Sequence, residues 1–367
     1  MSAVVQLPRG RRAAFVQAER RIALLGTGVV GSAFVARCER LRLAGVPVPG
    51  FAWLANSRAV VEGGADPLRA LAGLGDAPRR GGAWAAWVEA TGLRRGDVLV
   101  DATASDVVAG WHSEWLARGV HVVTANKLGA GAALARAQAI REAAEASGAR
   151  YGDAATVGAG LPLLRSIRAL VAGGDRVLAI EGLLSGSLAW LFDGDPGNRP
   201  FSARVREARA LGYTEPDPRI DLSGEDVRRK LLILARAAGI ALEEEAVQVE
   251  SLVPAALAGA AADAVEPLLG TLDAPMAARF AAARSAGTRL RFVGRLEGGR
   301  ATVGLRALSA AHPLCAGGGT DNIVAITSCR YDRQPLLIRG PGAGAGVTAA
   351  ALLDDVLSIP RGPLSTR

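Results

Sequence analysis

The stretch Arg21-Ile-Ala-Leu-Leu-Gly26-Thr27-Gly28-Val29-Val30-Gly31 decides the fold of the first half of the chain. Residues 21–25 predict a buried strand, and residues 32–43 predict an apolar helix. The glycines between them form a G-x-G-x-x-G pattern, which permits a tight turn and lets backbone N–H groups at a helix N-terminus approach a pyrophosphate. The alternative is a glycine-rich turn without a ligand. We predict a dinucleotide-binding turn made of Gly26, Thr27, Gly28, Val29, Val30 and Gly31.

The following strands of this half end in small polar residues. Residues 50–55 predict a second strand that leads to Ser57 and Arg58. An NAD-preferring site usually offers an acid here, whereas a hydroxyl and a guanidinium suit a 2′-phosphate. The sequence therefore favours NADP, with NAD as the alternative. The alternative is that Arg58 only caps or solvates the next helix.

Two more predicted strands, residues 97–101 and 121–124, lead to further polar positions. Ligands of open parallel sheets bind beyond the carboxyl ends of the strands, so we expect these positions on the cofactor side. They are Thr103, Ala104, Ser105 and Lys127. Residues 21–150 are thus predicted to form an α/β domain with a Rossmann-type doubly wound parallel sheet.

Composition limits the remaining classes. The 367 residues suffice for two domains, because single cores stop growing at roughly 250–300 residues. The net charge of +8 raises the question of nucleic acid, but the basic residues are scattered and only 4% of residues are aromatic, so no nucleic-acid partner is expected. Residues 1–20 carry arginines without an apolar signal core and predict a loose N-terminal extension.

No membrane span is expected either, since no uninterrupted apolar run reaches about 18 residues. The three cysteines, Cys38, Cys315 and Cys329, are an odd number at unrelated spacings. They predict neither a disulfide framework nor a metal cluster, which fits a reducing cytoplasm.

Only two of the 43 basic residues are lysines, Lys127 and Lys230. A guanidinium keeps its proton in proteins, whereas a lysine ammonium can pass its proton on. The alternative is that both lysines escaped an arginine bias by chance. We interpret them as sites where a proton has to move.

Lys230 follows an acid-rich stretch that contains Glu215 and Asp221. Ser223 is a plausible N-cap of the next helix, and Asp226 stands four residues before Lys230, so the two share one helix face. A surface ion pair is the alternative. The apolar residues that follow favour a proton carrier, because burial lowers a lysine pKa while carboxylates raise it. The upstream acids could hold a substrate ammonium group.

Taken together, these motifs resemble the homoserine dehydrogenase family over residues 21–358. The motifs that carry the resemblance are residues 26–31, 122–127, 155–162, 181–182, 185–187, 212–218, 221–224, Asp226, Lys230, 318–322 and 340–344. The resemblance implies reversible reduction of L-aspartate 4-semialdehyde to L-homoserine with NADPH or NADH, in threonine, methionine and isoleucine biosynthesis. It places no aspartokinase domain before the match and no ACT regulatory domain after it.

The resemblance also implies roles for individual residues. Lys230 is expected to donate a proton to the aldehyde oxygen, Asp226 to be its partner, and Lys127 to contact both substrate and nicotinamide. The residues expected to bind the substrate are Glu215, which would hold its amino group, and Tyr213, Asp221 and Glu181.

A sodium or potassium ion and a dimer are further implications. The expected ligands of the ion are the backbone carbonyls of Ala154, Val157, Ala159 and Leu161. The chain departs from the family at the first of these positions, where an acid is common and Ala154 stands here, with Asp153 beside it. Residues 151–340 would form an α+β substrate-binding and dimerisation domain. Residues 341–367 would return to the cofactor, with Gly344 in contact, and the protein would be a cytoplasmic homodimer.

Three alternatives stay open at this point. A thioester-forming aspartate semialdehyde dehydrogenase would need a reactive thiol such as Cys315. A non-catalytic NADPH-binding regulator could keep the same fold. An arginine-rich nucleic-acid binder would show salt-dependent retention on DNA.

Overall fold

The computed structural model describes residues 19–78, 92–194, 197 and 199–360. The predicted extension, residues 1–20, thus lies almost wholly outside the described residues. Arg20 is described, and its guanidinium donates to the backbone carbonyls of Gly96, Ile359 and Pro360.

The first half builds a six-stranded sheet in the order β3-β2-β1-β4-β5-β6. Neighbouring strands are parallel except for β2 and β3, which are antiparallel. Its elements are β1 (Arg21–Leu25), α1 (Val29–Leu43), β2 (Gly50–Ala55), β3 (Val60–Glu62), α2 (Pro67–Gly73), β4 (Val98–Asp101), α3 (Asp106–Gly110), α4 (His112–Ala117), β5 (His121–Thr124), α5 (Leu134–Ser147) and β6 (Tyr151–Gly152).

The glycine-rich turn after β1 is sterically required. Gly26 has a φ of 92°, and a Cβ there would lie 2.7 Å from the carbonyl oxygen of Ala102. A Cβ on Gly31 would lie 1.9 Å from the carbonyl oxygen of Gly26. Both positions therefore need glycine, and the predicted strand–turn–helix unit is confirmed, with α1 beginning three residues earlier than expected, at Val29.

The second half builds another six-stranded sheet, in the order β12-β11-β7-β9-β10-β8. Its neighbours are antiparallel except for β8 and β10. Its elements are α6 (Leu163–Ala172), β7 (Val177–Leu183), α7 (Gly186–Leu191), α8 (Phe201–Ala210), α9 (Arg219–Leu222), α10 (Glu225–Ala237), β8 (Val247–Val249), α11 (Ala255–Ala258), α12 (Val265–Leu268), α13 (Asp273–Ser285), β9 (Thr288–Glu297), β10 (Arg300–Ser309), β11 (Asp321–Ser328), β12 (Leu336–Pro341) and α14 (Ala345–Ser358). The expected mixed α/β architecture is confirmed.

Helix α10 lies in the core of this half, and residues 231–235 of the helix are buried. Its first turn carries Glu225 and Asp226, and its last turn carries Arg236, which complements the helix dipole. The prediction of Ser223 as the N-cap was wrong. Gly224 occupies that position with a φ of 81°, a conformation that serine adopts at a cost, and Ser223 instead ends α9.

Contacts from α14 and from α10 join the halves. Helix α14 packs its buried residues against α1 and the first sheet, and its Asp355 accepts a hydrogen bond from the backbone N–H of Ala154 at 2.9 Å. From α10, the guanidinium of Arg236 donates to the carbonyls of Ala130 and Ala132, both at 2.6 Å. None of the helices in the described ranges is long and apolar enough to cross a membrane.

Candidate active site

Both lysines of the chain meet at one carboxylate. Lys230 Nζ lies 2.7 Å from Asp226 Oδ2, and Lys127 Nζ lies 3.4 Å from Asp226 Oδ1. Lys230 and Asp226 come from adjacent turns of α10, whereas Lys127 comes from the loop after β5. The structure thus brings together the three residues expected to be catalytic.

The Lys230 ammonium group is buried and held from two sides. Besides Asp226, it contacts the carbonyl oxygen of Leu184, to which it donates at 2.6 Å. Its side chain is 10% exposed, against 35% for Lys127 and 39% for Asp226. Lys230 is therefore fixed in place, while the open side of the cluster is lined by Lys127 and Asp226.

The charge state of Asp226 follows from its neighbours. Burial alone would raise the pKa of its carboxyl, but attraction from the Lys230 and then the Lys127 ammonium groups outweighs burial and holds that pKa well below its usual range. Asp226 is thus an anion across the neutral range.

Asp221 lies in a hydrogen-bonded group beside this cluster. Its Oδ1 accepts from the Ser187 hydroxyl at 2.7 Å, and its Oδ2 accepts from the backbone N–H of Glu215 at 2.9 Å. Burial raises the pKa of Asp221, and the charges of Glu215 and Asp226 add to that rise. Two of the expected substrate residues, Asp221 and Glu215, are thus adjacent to each other and near Asp226.

The other two expected substrate residues behave differently. Tyr213 is 42% exposed, and its ring lies 5.6 Å from that of Trp190. Glu181 is not brought to the cluster. It lies 3.1 Å from Arg295 and 3.6 Å from His312, and the strand alternation of β7 turns it away from the face that packs against α10.

The expected cofactor residues line one edge of the first sheet. Gly28 leaves open space where a Cβ would stand, and α1 has no side-chain cap, so its first backbone N–H groups are available to a phosphate. Ser57 and Arg58 are exposed at the end of β2, and Asn56 Nδ2 donates to Thr27 Oγ1 at 3.3 Å. These features fit a bound dinucleotide.

Thr103, Ala104 and Ser105 form the turn after β4, and Ser105 caps α3. Gly344 has a φ of 128° and stands before α14, the helix that packs against the first sheet.

Two polar residues of this edge were missed by the sequence reasoning. The amide of Asn126 donates to Asp101 Oδ2 at 3.0 Å and to the carbonyl of Ser105 at 2.8 Å. Both are buried, Asp101 completely. Their positions were the available signal, because Asp101 ends a predicted strand and Asn126 precedes Lys127.

The expected ligand carbonyls of the cation lie in residues 154–161. Ala159 has a φ of 52°, a conformation that few residues other than glycine adopt, and Gly158 before it has a φ of 72°. Asp153, the acid beside Ala154, is committed to Arg168, with its two carboxylate oxygens 2.6 and 2.7 Å from the guanidinium nitrogens. The backbone of residues 158–159 thus has an unusual conformation, whereas the Asp153 carboxylate is bound to Arg168 and is not directed to a cation.

Cys315, the thiol of the rival mechanism, is a poor nucleophile. It is buried, and burial raises the pKa of its thiol. It follows His312, whose imidazole contacts Glu181 rather than Asp226 or a lysine.

Comparison with known proteins gives a consistent result. Residues 26–152 match a family model described as the NAD binding domain of homoserine dehydrogenase, and residues 162–357 match one described as homoserine dehydrogenase. A homoserine dehydrogenase of Schizosaccharomyces pombe is 39% identical over 272 residues, which cover 71% of this chain and 72% of that protein.

Longer relatives match as well. Bifunctional aspartokinase/homoserine dehydrogenase 2 of the Zea mays chloroplast is 45% identical over 265 residues, but the chain spans only 29% of its length. Among solved structures, a Candida auris protein of unknown function has a TM-score of 0.82 at 33% identity, covering 93% of this chain and 98% of that one.

A hyperthermophilic archaeal homoserine dehydrogenase in complex with NADPH has a TM-score of 0.71 at 22% identity, covering 92% and 96%, and at that identity it supports the fold alone. The family models together cover most of the chain, and the Schizosaccharomyces pombe relative is matched over more than two thirds of its own length. This chain belongs to the homoserine dehydrogenase family.

Proposed function

We propose that the protein is a homoserine dehydrogenase that reversibly reduces L-aspartate 4-semialdehyde to L-homoserine with NADP(H), a step of threonine, methionine and isoleucine biosynthesis. The observation that carries the proposal is the meeting of Lys230 and Lys127 at the Asp226 carboxylate, on the cofactor side of the first sheet. Membership of the family supports the same activity.

The chemistry divides between cofactor and protein. A bound nicotinamide would supply the hydride for reduction of the carbonyl carbon. Reduction leaves negative charge on the aldehyde oxygen, which the Lys230 ammonium group stabilises and then protonates. Asp226 orients that ammonium group, and Lys127, which is more exposed, contacts the substrate near the nicotinamide position.

Glu215 and Asp221, the acids beside the lysine cluster, would orient the substrate. The substrate ammonium group needs an anionic partner, and Glu215 and Asp221 lie beside the lysine cluster. Tyr213 lines the same region. Glu181 has no part in this proposal, because Arg295 and His312 engage its carboxylate on another face of the second sheet.

We further propose that NADP is preferred over NAD. Ser57 and Arg58 are exposed at the end of β2, where an NAD site would offer an acid to the ribose. Contacts from residues 26–31 would hold the pyrophosphate, and residues 103–105, Lys127 and Gly344 would approach the rest of the cofactor.

A bound sodium or potassium ion is part of the proposal. The left-handed conformations of Gly158 and Ala159 support it, because they redirect backbone carbonyls of residues 154–161. With Asp153 engaged by Arg168, the ion would rest on carbonyl oxygens alone, an arrangement that suits a hard monovalent cation. Replacing sodium or potassium with choline during turnover should lower the activity, and an unchanged rate would contradict this part.

We also propose the division into a dinucleotide domain of residues 21–150, a substrate and dimerisation domain of residues 151–340 and a returning segment of residues 341–367, of which 361–367 lie outside the described ranges. The separate sheets and the packing of α14 on α1 support it, although β6 extends the first sheet to Gly152. The edge strand β12 supports pairing in a homodimer, which light scattering tests. Free cysteines at positions 38, 315 and 329 fit a reducing cytoplasm.

The function is tested by steady-state oxidation of L-homoserine with NADP and NAD by the purified protein. We expect turnover with both, at a higher kcat/KM for NADP. A folded protein that binds NADPH but transfers no hydride would instead be the non-catalytic regulator.

A further inference from the structure

A hydrogen-bond chain, buried at His112 and Asp101 and half-buried at Tyr151, lies beneath the loop that carries Lys127. The Tyr151 hydroxyl lies 3.2 Å from His112 Nδ1, and His112 Nε2 lies 2.9 Å from Asp101 Oδ2. The side chains of His112 and Asp101 are both 0% exposed. The three residues come from β6, α4 and β4, so the chain connects separate elements of the first half.

The direction of the hydrogen bonds follows from the acceptors. Asp101 accepts on both oxygens, from the backbone N–H of Thr103 at 2.8 Å and from the Asn126 amide at 3.0 Å, so it acts as an acceptor toward its neighbours. The tautomer of His112 that fits this acceptor carries its hydrogen on Nε2 and donates a hydrogen bond to Asp101. Its Nδ1 is then free to accept from Tyr151, whose pKa burial raises well above its usual value, with the Asp153 and Asp101 charges adding to that rise.

The hydrogen-bond chain ends at the two turns of the proposed site, residues 103–105 and the loop after β5. Asp101 fixes the turn of residues 103–105 through Thr103, and it fixes Asn126 through the side-chain amide. Asn126 in turn accepts from the backbone N–H of Leu128 at 3.1 Å and donates to the Ser105 carbonyl. Lys127 stands between Asn126 and Leu128, which are joined by this hydrogen bond.

The loop that carries Lys127 also contacts the hydrogen-bond chain directly. A Cβ at Gly129 would lie 2.3 Å from the Tyr151 hydroxyl oxygen and 3.0 Å from His112 Nδ1. The backbone two residues after Lys127 is therefore in contact with the tyrosine and the histidine. A shift of either ring would move the loop.

We propose that Tyr151, His112 and Asp101 form a positioning chain that sets where the Lys127 ammonium group stands relative to Asp226 and the reacting carbonyl. The proposal rests on the proposed function. Tyr151, His112 and Asp101 do not touch the substrate in that function. Burying the Asp101 carboxylate and the His112 imidazole costs stability, and apolar residues of similar shape would pack at least as well. Packing alone therefore does not account for these two residues, and we assign their role to the polar contacts with the two turns.

The first test is a double-mutant cycle between Tyr151→Phe and Lys127→Ala. Loss of one neutral hydrogen bond should lower kcat about fivefold in the otherwise unmodified protein. If the chain acts through Lys127, the same Tyr151→Phe change should lower kcat less than twofold when Lys127 is already alanine. An equal fall in both backgrounds overturns the proposal.

The matched control is His121→Gln. His121 is also buried, but it begins β5, at the end of that strand away from Lys127, and accepts a hydrogen bond from the backbone N–H of Arg150. We expect His112→Gln to lower kcat, and His121→Gln to leave it unchanged below the melting temperature. Equal effects of the two variants would mean that His112 is merely structural.

A second measurement does not depend on turnover. Because the chain has two lysines, reductive methylation followed by mass spectrometry reports Lys127 individually. We expect the labelling rate of Lys127 to change at least twofold in Tyr151→Phe and His112→Gln, and to stay unchanged in His121→Gln. Unchanged labelling of Lys127 in all three variants overturns the positioning chain, even if the protein is inactive. By contrast, if the unmodified protein does not oxidise homoserine, the proposed function alone is overturned.

Discussion

Lys127 of the first half lies 3.4 Å from Asp226 of the second half, so the candidate active site is completed only where the two halves meet. Arg236, almost three turns after Asp226 along α10, donates to the carbonyls of Ala130 and Ala132 in the loop that follows Lys127. The contact is therefore maintained by several bonds between this loop and the helix. Any change in the packing of α10 on the loop should alter the distance between Lys127 and Asp226.

Coenzyme preference should change with residues 57 and 58. We expect the double variant Ser57→Glu/Arg58→Ala to raise the KM for NADP at least tenfold, since it replaces an attractive cation with a like charge for the 2′-phosphate. The KM for NAD should stay the same or fall. Arg69→Ala, an exposed arginine of α2, is the control for loss of one positive charge. An unchanged NADP to NAD ratio would refute the coenzyme argument.

The thiol of Cys315 should be dispensable. Because burial raises its pKa, little thiolate is present near neutral pH, and Cys315→Ala should keep the unmodified kcat within about twofold. Alkylation with iodoacetamide should likewise leave activity intact. Loss of activity in both experiments would favour a thioester mechanism over proton transfer by lysine.

Local features of the fold were predictable from the sequence. Strand β2 and strand β5 have the predicted bounds, because runs of apolar residues end there at turn-forming or polar ones. The glycine pattern after β1 was readable because the positive φ of Gly26 and the close approach of Gly31 to Gly26 both arise within a few residues. The pairing of Asp226 with Lys230 was also predictable, since both lie on one short helix.

Long-range relationships were harder to predict. The contact of Lys127 with Asp226 depends on how the loop docks on α10, which no local pattern encodes. The position of Glu181 away from the lysine cluster was not predictable, because a strand residue four positions before Ser185 can face either side of the sheet and the register of β7 against β9 and β11 decides which. The chain from Tyr151 to Asp101 joins three elements and was missed for the same reason.

His121 should make stability depend on pH. Burial, with the Arg20, Arg150 and Arg95 charges adding to it, lowers the pKa of His121 from 6.5 to about 4. The unfolded chain therefore binds this proton at a higher pH than the folded one, and the stabilisation present above pH 6.5 is lost as the pH falls toward 4. The loss should be about 3 kcal/mol in the free energy of unfolding.

Urea unfolding of the unmodified protein and of His121→Gln, measured from pH 8 to pH 4, checks this prediction. The glutamine amide can still accept from Arg150 but does not titrate. We expect the unfolding free energy of the unmodified protein to fall more steeply between pH 6.5 and 4 than that of the variant. Parallel curves would show that His121 keeps its ordinary pKa in the folded state.

The central claim is that proton transfer requires lysine at the two positions where this arginine-rich chain has kept it. The most direct test is kcat for L-homoserine oxidation in the variant Lys127→Arg/Lys230→Arg, with Arg229→Lys on the same helix as the control for a swap of one cation for the other. Charge is preserved, but guanidinium does not release its proton, so we expect kcat to fall about 10²–10⁴-fold while the control stays near the unmodified rate. A double variant that turns over at the unmodified rate would contradict the account.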